Sequence, residues 1–298
     1  IESEKIVGSV IVVDEVSMVD AILMYRLLRH LPRGVRLVLV GDPSQLPPIG
    51  PGLILHALVG VPSIPQVELK TVKRQSADSG IPQVAAAIRA HKIPVWAEYD
   101  QSVFNGVTFL PCSEEKLEEV VQSTYETLGG RGEDFSVQIL SVTSSGIGGV
   151  ANLNSRFHQR YCKDALLVFC YDREFGVVGA STLERVPLKI GDLVIFTENN
   201  YQLGLRNGSL GVITKALPVT EPDDKCCVCI FDGVEYLLTS RQLQALRHAY
   251  SITVHKSQGS QFSRVIVPIR RSRLLDQSLL YTAVTRAVDQ VVLVGDEK

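Results

Sequence analysis

Two carboxylates, Asp14 and Glu15, directly follow the apolar run Val10-Ile11-Val12-Val13, and a third, Asp42, follows Leu37-Val38-Leu39-Val40-Gly41. Each apolar run reads as a buried strand, so both segments are expected to deliver acids to the edge of one sheet. There Asp14 suits magnesium, held directly or through water, and Glu15 suits a water that attacks a terminal phosphate. The plainer alternative is a strand followed by two solvated acids. Beyond Asp42, Pro47 and Pro48 fix the direction of the chain, which places Gln45 to sense a phosphate or, alternatively, to make local hydrogen bonds.

The elements that must position these groups form a β-α-β pattern. Met18 to Leu31 has helical character, with Val19, Ile22, Leu23, Leu27 and Leu31 as an apolar stripe, Asp20 near its start and Arg26, Arg29 and His30 toward its end. A helix is also predicted over Ile81 to Ile88, with Pro82 in its first turn. Near the other end of the chain, Thr253, His255, Lys256 and Ser257 precede the strand Val265-Ile266-Val267. Small hydroxyls and donors of this kind grip a nucleic-acid backbone, while Gln258 and Gly259 can shape a nucleotide-facing edge. Read alone, His255 is an ordinary polar residue at the start of a helix.

Four ordered strings, Asp14-Glu15-Val16-Ser17-Met18, Gly41 to Gly50, Val254 to Ser260 and Leu280 to Ala287, together resemble the RecD-like branch of superfamily 1 DNA helicases. The resemblance implies an α/β fold of two RecA-like parallel-sheet motor domains, the first truncated at its N-terminus, with a small SH3-like β-barrel inserted in the second. It assigns Asp14 and Glu15 to the second helicase motif and Gln45 to the third, near the terminal phosphate. Glu68 to Gln75 looks like the fourth motif, which implies that Arg74 contacts phosphate, a task for which a guanidinium fork is suited. Without the resemblance Arg74 reads as a surface arginine. Arg286 corresponds to the sixth-motif arginine, donated by the second motor domain to phosphates held by the first. The stretch from Thr253 to Gly259 corresponds to the fifth motif, where DNA contact and nucleotide coupling meet.

The division implied is residues 1–95 for the first motor domain, 96–190 and 247–298 for the second, and 191–246 for the barrel. Short strands predicted at Leu193–Phe196, Leu210–Thr214, Cys226–Phe231 and Val234–Leu238 break the alternating rhythm there. In the family this module lies beside the DNA path, which makes Tyr201 and Arg206 candidate DNA contacts; a turn tyrosine and a surface arginine are the alternative.

With 30 basic and 32 acidic residues, the net charge of −2 argues against a histone-like binder, though not against a local basic channel. The six cysteines lack paired Cys-x-x-Cys spacing, so free thiols in a reducing cytoplasm are expected rather than zinc. No apolar run reaches the roughly 18 residues of a membrane span, and Ile1 to Lys5 does not resemble a leader.

No phosphate loop ending in Gly-Lys-Ser/Thr occurs in the sequence, so the chain is expected to be the C-terminal portion of a helicase, inactive alone, with an open sheet edge that invites association or local disorder. For the intact protein the resemblance implies ATP and Mg2+ as cofactors, single-stranded DNA and duplex junctions as partners, and 5'-to-3' translocation with unwinding. Recombination nuclease subunits or fused relaxase domains are possible further partners. An ATP-dependent remodeller that does not unwind efficiently, and a noncatalytic DNA-binding module, are the alternative functions.

Overall fold

A computed structural model of the chain describes residues 8–296 apart from 70, 77, 78 and 104. Lys70 of the Glu68–Gln75 string and the start Ile1 to Lys5 lie outside the described residues. Strands β1 (Val10–Val13) and β2 (Arg36–Leu39) pair in parallel and are joined by α1 (Ala21–His30). The helix begins where Asp20 accepts the Leu23 N–H at 2.7 Å, an N-cap, and ends with Arg29 and His30 opposing the helix dipole.

The apolar runs predict buried strands, and the structure corrects this: Val10, Val12, Val38 and Val40 are exposed. Successive strand residues face opposite sides, and one side alone is covered among the described residues. There Val13 and Leu39 pack with Val16, Val19, Met24 and Leu55, the last carried by α2 (Ile54–Leu58). The stripe on α1 is corrected for the same reason. Met24 is buried and Leu27 partly so, while Ile22 and Leu23 stay about half exposed. Helix α3 (Ile81–Arg89) does carry Pro82 in its first turn, and its Ile81, Val84, Ala85 and Ile88 enter the core of a second, larger sheet.

That larger sheet begins with β3 (Ala97–Glu98) and β4 (Gly106–Pro111), continues through α4 (Leu117–Thr127), β5 (Val137–Ser141) and α5 (Val150–Tyr161), and is then interrupted. A hairpin of β6 (Phe169–Asp172) and β7 (Gly176–Gly179) leads to β8 (Leu193–Phe196), β9 (Leu210–Ala216), β10 (Lys225–Phe231), β11 (Val234–Thr239), the short α6 (Ser240–Leu243) and β12 (Leu246–His248). The chain returns to the larger sheet as β13 (Ser251–Thr253), β14 (Phe262–Ile269), α7 (Gln277–Thr285) and β15 (Ala287–Gly295).

The larger sheet has the order β13-β5-β14-β15-β4-β3, and every pair is parallel. A parallel sheet is normally covered on both faces, and alternation along β14 and β15 achieves this. Val265, Val267, Val291 and Leu293 join α3 and α7 on one side. Ile266, Val292 and Val294 join Leu117, Val121, Leu153 and Phe157 on the other. The two α/β units are consistent with RecA-like motor domains. The interrupting segment is an antiparallel sheet in the order β11-β10-β9-β8-β12, with its own core around Phe196, Ile213, Cys229 and Leu246.

A buried clamp holds the neck of that insertion. Asp192, at its entry, accepts hydrogen bonds from His158 Nδ1 (2.7 Å), Tyr250 Oη (3.1 Å) and the Lys189 N–H (2.7 Å). His248 Nε2, at the exit, lies 3.1 Å from Oδ2, the oxygen that also accepts the Lys189 N–H. Burial alone would raise the Asp192 pKa, but the contacts from His158 and His248 outweigh it and hold the carboxyl below the usual range. His158, Cys162 and Asp192 are close enough together to suggest a cation site. The carboxylate is already engaged by three donors, and the cluster is read as a structural pin. All six cysteines are free, and no helix among the described residues is long and apolar enough to cross a membrane.

Candidate functional site

The acidic strand end is a strained turn. Glu15 adopts φ 53° and ψ 39°, left-handed backbone that non-glycine residues rarely occupy and that clusters at functional sites. Its N–H donates to Asp14 Oδ1 at 2.8 Å. Asp14 Oδ2 makes no hydrogen bond or ion pair among the described residues, which leaves it able to hold a hard cation. Val16 N–H donates to the Val40 carbonyl at 3.0 Å, drawing the end of β2 against this turn. A Cβ on Gly41 would lie 3.1–3.2 Å from the backbone nitrogens of Ser17 and Val16, so glycine permits the approach.

The loop after Gly41 faces α7, which belongs to the larger unit. Asp42 Oδ1 accepts the Ser44 N–H at 2.9 Å and Gln45 N–H donates to the Asp42 carbonyl at 3.2 Å, a turn that presents the Gln45 side chain. Arg286, at the C-terminal end of α7, donates from Nη2 to Gln45 Oε1 at 3.1 Å and from Nη1 to the Ser260 carbonyl at 3.2 Å. The Arg286 residue is fully buried and its Nε has no hydrogen-bond partner. Burial, reinforced by the nearby Arg74, lowers its pKa, against the opposing charges of Glu15 and Asp42. A cation with an unsatisfied buried donor beside a second guanidinium is electrostatically suited to receive an anion.

Arg74 donates from Nη1 to the Thr285 carbonyl at 2.9 Å, and Gln75 Nε2 donates to the Ala287 carbonyl at 2.7 Å. Together they satisfy backbone acceptors at the end of α7, where cations also complement the helix dipole. Gln45 and Arg74 therefore converge on the end of α7 around Arg286, and Glu15 lies close enough for its charge to act on that arginine, with Asp14 beside it. Gln258 joins them from the turn after β13, donating from Nε2 to the Leu46 carbonyl at 3.3 Å, and Gly259 adopts φ +80° next to Ser260.

The expected DNA contacts divide. Thr253 ends β13 and accepts the Lys256 N–H at 3.2 Å. His255 is half-buried and Lys256 exposed. Ser257 is buried, with its hydroxyl donating to the Val254 carbonyl at 2.7 Å. Tyr201, 91% exposed, and the exposed Arg206 project from the loop between β8 and β9, which is held where Asn200 accepts the Leu203 N–H and Asn199 the Asn207 N–H. Two further residues beside Arg286 are not singled out by the sequence. Tyr281 Oη donates to Asp42 Oδ2 at 2.7 Å, and Thr282 Oγ1 accepts the Leu46 N–H at 2.9 Å. Both sit in the Leu280 to Ala287 string, but their partners are more than two hundred residues away and no local pattern reveals them.

Residues 4–104 match a family model described as an AAA domain, and residues 248–294 match one described as the UvrD-like helicase C-terminal domain. The chain is 33% identical over 287 residues to the ATP-dependent RecD2 DNA helicase of Deinococcus radiodurans, covering 96% of this chain and 36% of that protein. It is also 33% identical over 306 residues to the RecBCD enzyme subunit RecD of Mycolicibacterium smegmatis, covering 99% and 51%. The chain thus spans about half or less of the length of these curated relatives. Among solved structures, the Bacteroides Pif1 helicase in complex with ADP-AlF3 and ssDNA shares the fold. The TM-score is 0.56 at 17% identity, over 95% of this chain and 70% of that one.

Proposed function

We propose that this chain, which is related to the RecD and Pif1 superfamily 1 helicases, forms the cleft of an ATP-dependent DNA helicase that translocates 5'-to-3' on single-stranded DNA and opens duplex junctions. The observation that carries the reading is the hydrogen bond between Gln45 and Arg286, which ties the acid-bearing unit to the larger unit at the point where a nucleotide's terminal phosphate would sit.

ATP with Mg2+ supplies the phosphoryl group and its cation. Asp14 holds the cation through its available carboxylate oxygen, Glu15 orients the attacking water and takes its proton, and Gln45 and Arg74 sense the terminal phosphate. Arg286 compensates charge that develops on the phosphate oxygens. Gln258 and Gly259 shape the nucleotide edge. Closure and opening of the cleft then change the grip of the two units on DNA, through Thr253, His255, Lys256 and Ser257. The domain division 1–95, 96–190 with 247–298, and 191–246 belongs to this reading, although α3, before the first boundary, packs against the larger sheet. The antiparallel insertion acts as an SH3-like barrel beside the DNA, with Tyr201 and Arg206 toward the strand. A recombination nuclease complex or a relaxase fusion in the cytoplasm is a fitting setting.

Because no Gly-Lys-Ser/Thr phosphate loop occurs in these 298 residues, hydrolysis is expected in the complete gene product rather than in this chain alone. ATP turnover by that product, measured with and without single-stranded DNA, is expected to be DNA-stimulated and abolished by Glu15→Gln. Strand displacement then separates a helicase from a remodeller that does not unwind. Turnover that survives Glu15→Gln, or none in the wild type, contradicts the proposal and favours a noncatalytic DNA-binding module.

A further inference from the structure

Asp42 is bonded in two directions. One oxygen accepts the Ser44 N–H at 2.9 Å and shapes the turn that presents Gln45; the other accepts the Tyr281 hydroxyl at 2.7 Å. Tyr281 is 8% exposed. Burial, together with the hydrogen bond to Asp42, raises its pKa far above the ordinary tyrosine value, so its hydroxyl remains a donor at any working pH. The next residue, Thr282, accepts the Leu46 N–H, and Arg286 reaches Gln45. One helix therefore grips the loop from Asp42 to Leu46 at three points, and Gln45 lies between the two outer ones.

The three contacts differ in what they can do during turnover. Arg286 and Gln45 must share or exchange their mutual bond if both are to meet a phosphate. The Tyr281–Asp42 bond involves neither side chain and can persist while they rearrange. On the reading of the cleft as an ATPase site, we propose that Tyr281 is a positioning residue: through Asp42 its hydroxyl fixes the loop that carries Gln45 in register with Arg286. Loss of this bond removes none of the groups assigned to nucleotide contact but shifts one of them relative to another. An ångström-scale misplacement of a positioned group costs turnover more than binding.

The test is Tyr281→Phe in the complete gene product, with Glu15→Gln alongside. Phenylalanine keeps the ring in the core and removes the hydroxyl alone. The expected result is a loss of about tenfold in kcat for DNA-stimulated hydrolysis with the KM for ATP changed by less than about threefold. If the effect runs through Asp42, the double variant Tyr281→Phe/Asp42→Ala turns over as Asp42→Ala does, since contacting residues are non-additive. Hydrogen exchange supplies a readout independent of turnover. The amides of Ser44, Gln45 and Leu46 should exchange faster in Tyr281→Phe while those of β14 do not change; a general loss of stability would move both. Glu15-dependent hydrolysis with Tyr281→Phe within about twofold of wild type overturns the Tyr281 assignment and leaves the ATPase reading intact. Losses that multiply in the double variant overturn the route through Asp42. Absence of Glu15-dependent hydrolysis in the wild type overturns both.

Discussion

The two units that meet where the loop after Gly41 contacts α7 are built to different depths. The unit of β1 and β2 is covered on one face, leaves Val10, Val12, Val38 and Val40 exposed, and has a small core around Val16, Val19, Met24 and Leu55. The six-stranded unit is covered on both faces and pins its insertion with a buried carboxylate. The proposed water-activating acid sits on the thin unit in strained backbone, and its partner arginine sits fully buried on the thick one. A deep unit can hold a charged side chain in a costly buried position because its surroundings over-determine it. On the thin unit the proposed site depends on local turns: Glu15 in left-handed backbone, Gly41 against Val16 and Ser17, and Asp42 organising the loop to Gln45.

The largest stability effect is expected in the thick unit. Asp192→Ala leaves His158, Tyr250 and the Lys189 N–H without their acceptor, and removing one partner from a buried charged network costs about 3–5 kcal/mol. Urea denaturation followed by Trp96 fluorescence reads this, since Trp96 stacks on Phe109 of the same sheet. The effect also has a definite pH dependence. The folded pKa of Asp192 lies below its unfolded value of 3.8, so its contribution is complete above that value and is lost as pH falls through the lowered one. The gap between wild type and Asp192→Ala should therefore be constant near neutrality and shrink at acid pH. A gap that does not shrink once pH falls below the ordinary carboxylate range contradicts the assignment of this carboxylate.

A smaller effect of opposite sign is expected on the thin unit. Glu15→Gly relieves left-handed strain and should stabilise the chain by about 1 kcal/mol in the same denaturation. In the complete gene product the same change should abolish turnover. A variant that gains no stability would show that the Glu15 backbone stores no strain.

The sequence reveals those parts of the molecule whose signals are local. The strand ends at Asp14 and Asp42, the Asp20 cap, Pro82 in the first turn of α3, and the strand Leu193–Phe196 all follow from short patterns. The exposure of β1 and β2 does not, because an apolar run reports what a strand can bury and not what covers it. Nor does the Asp192 clamp, which joins residues 34 and 58 positions apart. The hairpin of β6 and β7 and the short β12 escaped the strand patterns that located their neighbours. Around α7, Gln45, singled out by the proline-directed turn, and Arg286, singled out by the resemblance, lie in contact, while Tyr281 is visible in the sequence only as one letter of a motif. Its partner Asp42 lies 239 residues away.

The central claim is that Arg286, supplied by the thick unit, acts on a nucleotide held at the thin one. Arg286→Ala in the complete gene product, with nucleotide affinity and single-stranded-DNA-stimulated hydrolysis measured side by side, tests it most directly. Measurable ATP binding with kcat reduced by about a hundredfold or more is the predicted result. Turnover comparable to wild type would contradict it.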